Sequence, residues 1–166
     1  AHRREERRQR ASAVVGQRLR AAIRAATDKP ILYVINTHMH PDHVFGNAAF
    51  RGDAPQFIAH HKMQRGLAAR AEFYLRAVKA NLGESGAAGT DIVYPTMAVT
   101  DTMTIDLGNR PLTLVARPTA HTDNDLTVFD TATQTLLSGD LVFSERIPSL
   151  DGSLRGWLDL IQVMRG

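Results

Sequence analysis

The 166-residue chain contains no cysteine. Disulfides and thiolate metal ligands are thereby excluded, so any metal ion must be held through nitrogen and oxygen. Long apolar runs are missing too. Nothing approaches the roughly 20 residues of a membrane-spanning helix, and no apolar stretch near the start resembles an export leader. No membrane partner is therefore expected. Aromatic residues make up only 6%, with a single tryptophan, too few to suggest the stacking platforms that bind single-stranded nucleic acid. What is present, 43% hydrophobic and 22% charged residues, is the composition of a folded globular chain. The length suits one core rather than two ordinary domains.

The formal charge of +3 is unevenly spread, because eight arginines against Glu5 and Glu6 fall within the first 24 residues. The rest of the chain is therefore net acidic. Residues 1–11 read as a basic arm, disordered or a frayed helix, followed by a domain over 12–166. Such an arm can attract nucleic acid or an acidic membrane surface, but a solvated face or frayed end is the commoner outcome, and nucleic acid is not the expected partner.

Residues 12–26 place Val15, Leu19, Ala22, Ile23 and Ala26 at helical spacing, and the helix should stop before Pro30. Ile31 to Ile35 is an unbroken β-branched run, as expected of a central strand buried on both faces. A short helix from Val44 to Phe50, a strand from Gln56 to Ala59 and a helix over 62–81 follow, the last capped by Gly83 before an exposed loop to Gly89. Thr102 to Leu107 and Pro111 to Ala116 flank Gly108-Asn109 as a hairpin. Leu126 to Phe129 and Thr135 to Leu137 give two more strands. Ser153 is placed to cap a last helix with Leu154, Trp157, Leu158 and Ile161 on one face. Helices alternating with strands define an α/β, or layered α+β, protein.

Three of the seven histidines fall in the six residues His38-Met39-His40-Pro41-Asp42-His43, just past the apolar strand, where open α/β sheets place ligands. In an extended loop His38 and His40 point the same way, so their imidazoles can converge on one ion. Asp42 and His43 follow a proline-bent turn and can face a second. Imidazole and carboxylate are ligands that Zn²⁺ accepts. His121 follows the strand through Leu114 and Val115, and Asp140 follows the run at Leu136-Leu137 in a Ser138-Gly139-Asp140 turn. With the cluster they become candidate ligands. His2, His60 and His61 have no such partners and are not expected to bind metal.

The order of "THMHPDH" at 37–43, "AHT" at 120–122 and "SGDLVF" at 138–143 resembles the metallo-β-lactamase superfamily. The stretches "TDKPILYVINTHMHPDHVFGNAAF", "AHTDNDLTVFD" and "SLDGSLRGWL" are similar to its quinoprotein relay system zinc metallohydrolases, a bacterial branch whose setting suggests the periplasm. The resemblance implies an αββα sandwich, incomplete at both ends because the family's opening strands and final histidine have no counterpart here. It further implies that His38, His40 and His121 hold a first zinc and that Asp42 and His43 hold a second. Asp140 would bridge the two ions, and Asp42 would also orient the hydroxide that attacks substrate. Asp123, Asp125, Thr37 and Thr122 are candidate supports for the histidines, although Asp123-Asn124-Asp125 also reads as a simple turn. The implied activity is a binuclear-type zinc hydrolase acting on a small ester, lactone, thioester or lactam. The alternatives are a mononuclear Fe²⁺ dioxygenase of the same superfamily and a catalytically weak metal-binding fragment.

Overall fold

The computed structural model describes residues 12–144 and 147–165; the basic arm at 1–11 lies outside them. The chain forms two units, each woven from separate segments: the chain up to Ile35 with His40–Phe57 and Gln64–Thr96, and Asn36–Met39 with Ile58–Met63 and Met97 onward. Among the described residues no helix is long and apolar enough to cross a membrane.

In the first unit, α1 (Ala13–Ala26) ends at Thr27 in extended backbone, just before Pro30 as expected. The face it buries is not the one its bulky residues suggest. Ala13 and Gly16 are buried while Leu19 is 55% exposed, because small residues let the helix backbone press directly on its neighbour. A methyl group on Gly16 would lie 2.1 Å from the Gly46 carbonyl oxygen. Gly46 belongs to a 3-10 helix, Phe45–Asp53, that continues the short α2 (Pro41–Val44) where a single helix was expected. At the far end of that segment Asp53 accepts hydrogen bonds from the Arg20 guanidinium at 2.6 and 2.9 Å and from Arg24 at 2.7 Å. Arg20 first, then Arg24, holds the Asp53 carboxyl well below the usual carboxylate range. Two of the N-terminal arginines thus dock the helix rather than face solvent alone. Beneath lie Phe50, Phe57 and Val93, with Ile23, Ile31 and Val34 packed against them.

β1 (Tyr33–Ile35), β2 (Gln56–His60) and β3 (Met97–Val99) form a sheet in the order β1-β2-β3. The strand expected to be central therefore lies at one side, half-buried, and Leu32 before it is 51% exposed. The buried middle strand is β2, with Phe57, Ile58, Ala59 and His60 all buried. α3 (Met63–Ala87) runs past its expected cap: Gly83 breaks the helix with φ 71°, but helix resumes to Ala87.

The second unit holds an antiparallel meander of β4 (Thr102–Asp106), β5 (Pro111–Ala116), β6 (Leu126–Asp130) and β7 (Thr135–Leu137). The β4-β5 hairpin turns through Gly108 and Asn109, both at positive φ. α4 (Leu154–Arg165) is capped by Ser153, whose Oγ accepts the Gly156 N–H at 3.1 Å. It buries Trp157 and Leu160 against Ala120 and Leu141, while Leu154 and Leu158 stay exposed, a rotation from the expected stripe. The residues that turn inward are those able to reach the His121 loop, described below.

Gly16→Ala is expected to lower stability by about 1–3 kcal/mol, because rigid backbone opposes the added methyl. Gly52→Ala, with nothing within 4 Å of the new carbon, should change it by less than about 0.5 kcal/mol. Urea unfolding of the two variants beside the parent measures the difference.

Candidate metal centre

The loop carrying His38 continues the strand pairing and is then pinned at three points. Asn36 N–H donates to Ile58 O at 2.9 Å, Leu126 N–H to Thr37 O at 2.7 Å, and Met39 N–H to Asn124 Oδ1 at 3.0 Å. Met39 is buried beside it, so the apolar residue between the two histidines anchors the loop. His38 is consequently buried, with Nδ1 3.2 Å from Thr37 Oγ1. His40 is the N-cap of α2, and Pro41 starts the turn that presents Asp42 and His43. The His43 and Asp42 side chains approach to 3.8 Å, and Asp42 is 56% exposed.

His121 sits in a loop held by a carboxylate beneath it. Asp125 accepts from Thr122 N at 2.9 Å and from Thr122 Oγ1 at 2.7 Å, and its own carbonyl receives the Arg117 N–H. Burial pushes the Asp125 carboxyl pKa up, and the Thr122 hydrogen bonds oppose that shift. The Asp123-Asn124-Asp125 stretch is thus more than the simple turn its residues suggest. Asn124 is fully buried and joins the His121 loop to the His38 loop through Met39 N. Asp140 lies on a 3-10 turn, Gly139–Leu141. Gly139 has φ 56°, and a β-carbon there would meet Thr37 Cβ at 2.7 Å, so this backbone approach requires glycine.

His121 Nδ1 lies 2.8 Å from Ser149 O. A carbonyl only accepts, so Nδ1 is the donor and Nε2 is the nitrogen turned toward the other ligand candidates. Nε2 is 3.7 Å from Asp140 Oδ2, a separation beyond direct hydrogen-bond reach. His38 packs edge-on to His121 with ring centroids 4.8 Å apart. His38, His40 and His121 form one group of side chains that could hold a metal ion, and His38, His43 and Asp140 form another. Nitrogen and oxygen donors in such groups fit a borderline divalent ion. Asp42 belongs to neither group.

The Lactamase_B model of the metallo-β-lactamase superfamily matches residues 5–165. The chain belongs to this superfamily. Three solved metallo-β-lactamases share its fold. The enzyme from Pontibacter korlensis is 18% identical with a TM-score of 0.70, over 89% of this chain and 61% of its own. That from Hirschia baltica is 16% identical with a TM-score of 0.68, over 92% and 63%. The B3 metallo-β-lactamase BLEG-1 is 20% identical with a TM-score of 0.67, over 89% and 68%. This metallo-β-lactamase-fold chain thus spans about three fifths of the length of the first two. No match is found among curated proteins.

The partner of His121 was not among the four supports considered from sequence. A backbone carbonyl serves whatever side chain it carries, so Ser149 leaves no signal. Of the four, Thr37 lies against His38 and Thr122 and Asp125 shape the His121 loop. His60 is buried, accepts the Lys62 N–H at Nδ1 and stacks on His61 at 4.4 Å. Burial, then the His61 and Lys62 charges, lowers its pKa to about 4, although a hydrogen bond with the Arg117 backbone and the Asp123 charge pull the other way. It behaves as a neutral core histidine.

Because the folded chain resists protonating His60, the unfolded chain binds more protons between about pH 6.5 and 4. Stability from this residue is complete above pH 6.5 and declines as the pH falls toward 4. Urea midpoints at pH 7, 5.5 and 4 should therefore fall less steeply for His60→Gln than for the parent.

Proposed function

We propose that this chain is a metal-dependent hydrolase. In this reading His38, His40 and His121 hold one divalent ion, His43 and Asp42 hold a second, and Asp140 reaches both. The observation that carries it is the facing of His121 Nε2 and Asp140 Oδ2 at 3.7 Å, with the other imidazole nitrogen already committed to Ser149 O. Zinc is the expected metal. Bound there, it supplies Lewis acidity and brings the pKa of coordinated water to about 7.

The chain's own groups supply orientation and proton handling. Ser149 O accepts from His121 Nδ1 and so orients the ring, leaving Nε2 as the nitrogen that would face the ion. Asp42, which is exposed, would ligate the second ion through one oxygen and orient the attacking water, accepting its proton, through the other. No side-chain nucleophile is required, which suits a chain without cysteine.

The substrate class is a small ester, lactone, thioester or lactam, whose carbonyl carbon is the electrophile. The solved relatives named as metallo-β-lactamases support the lactam member of that class. Val142 and Ile147, 64% and 97% exposed, lie on the segment between Asp140 and Ser149 and offer apolar contact to an acyl or ring substituent.

Metal analysis of the purified chain, then of His40→Ala and Asp140→Ala, tests the reading. Zinc should exceed iron in the parent, and each substitution should lower bound zinc. Unchanged zinc in both variants would refute the ligand assignment, and iron in excess would favour the dioxygenase. Hydrolysis of generic ester, lactone, thioester and β-lactam substrates by the zinc-loaded chain should exceed that of Asp42→Ala by about 10²-fold or more. Zinc bound without turnover would mark a metal-binding chain that is not an enzyme.

A further inference from the structure

The stretch "SLDGSLRGWL" at 149–158 runs along the His121 loop with repeated backbone contacts. Asp151 N–H donates to His121 O at 3.0 Å, Ser153 N–H to Ala120 O at 2.9 Å, and Ser149 O accepts from His121 Nδ1. Two glycines allow the approach. A methyl on Gly152 would lie 2.3 Å from Ala120 O, and one on Gly156 would lie 2.2 Å from Thr119 O.

One side chain of this stretch reaches two candidate ligand segments at once. The Trp157 ring meets His121 edge-on at 5.2 Å, and its indole N–H donates to the carbonyl of Leu141, the residue after Asp140, at 3.0 Å. Trp157 is buried, as is Leu141. Its packing limits where the imidazole sits, and its hydrogen bond limits where the carboxylate-bearing turn sits.

We propose that Trp157 is a positioning residue for the metal centre, setting the separation of His121 and Asp140 from behind. The proposal rests on the ligand assignment above. It makes the final helix part of the metal site, although that helix contributes no ligand.

The test compares zinc affinity, measured by chelator competition, for the parent, Trp157→Phe and Leu160→Val. Phenylalanine keeps an aromatic ring but loses the donor to Leu141 O. Loss of such a support typically weakens metal binding 10–100-fold, and about tenfold is expected here. The cobalt-loaded Trp157→Phe variant should also show an altered visible absorption band, since the band reports ligand geometry. Leu160→Val, in the same buried cluster, should lower the thermal midpoint and leave both readouts unchanged. Parent-like affinity and spectrum in Trp157→Phe would overturn the proposal while leaving the ligand assignment standing. Equal loss of affinity in Leu160→Val would reduce Trp157 to general packing and overturn it as well. A parent that binds no zinc would sink both. Should Trp157→Phe fail to fold, the parent decides. Trp157 is the sole tryptophan, so bound cobalt must quench its emission in a saturating, stoichiometric titration, and an unaltered emission with cobalt bound would overturn the assignment.

Discussion

The arrangement of the second unit turns on one hydrogen bond. His121 is wholly buried, and a buried polar ring must find hydrogen-bond partners. The Ser149 carbonyl accepts a hydrogen bond from Nδ1, which fixes the ring so that Nε2 faces Asp140 at 3.7 Å. The loop at 119–125, the Gly139 turn and the start of α4 each carry specific contacts that keep this pair in place.

The first unit solves a different problem with backbone rather than polar contacts. Gly16 and Gly46 bring a helix and a 3-10 segment together so closely that no side chain fits between them, and the Asp53 carboxylate with Arg20 and Arg24 closes the far end. The segment so held begins directly after α2, which carries Asp42 and His43. Rigid support of this sort matters for a centre whose ligands come from short loops, because loop residues alone hold positions loosely.

Much of this was legible from the residues. The His38–His43 cluster stood out because a knot of imidazoles beside a carboxylate at a strand end is costly, His121 and Asp140 became candidate ligands only alongside it, and turn glycines such as Gly108 announce themselves. Helix faces were less legible. α1 buries Ala13 and Gly16 rather than Leu19, and α4 buries Leu160 beside the expected Trp157 while Leu154 and Leu158 stay exposed, because the shape of the neighbour selects the face. β1 was misjudged as central because an apolar run shows hydrophobicity but not sheet order. Gly83 showed a break but not that helix would resume beyond it. Carbonyl partners such as Ser149 O lie outside what any side-chain pattern can encode.

The contact between Gly139 and Thr37 couples two turns that are distant in the chain. Each residue is the immediate neighbour of a candidate ligand, Asp140 and His38, and they touch so tightly that a single methyl group cannot be inserted. A side chain at 139 would have to push the histidine loop aside, and the positive φ there would strain it even beside a smaller residue 37. The placement of Asp140 is therefore tied to that of His38, although the two lie far apart in the chain.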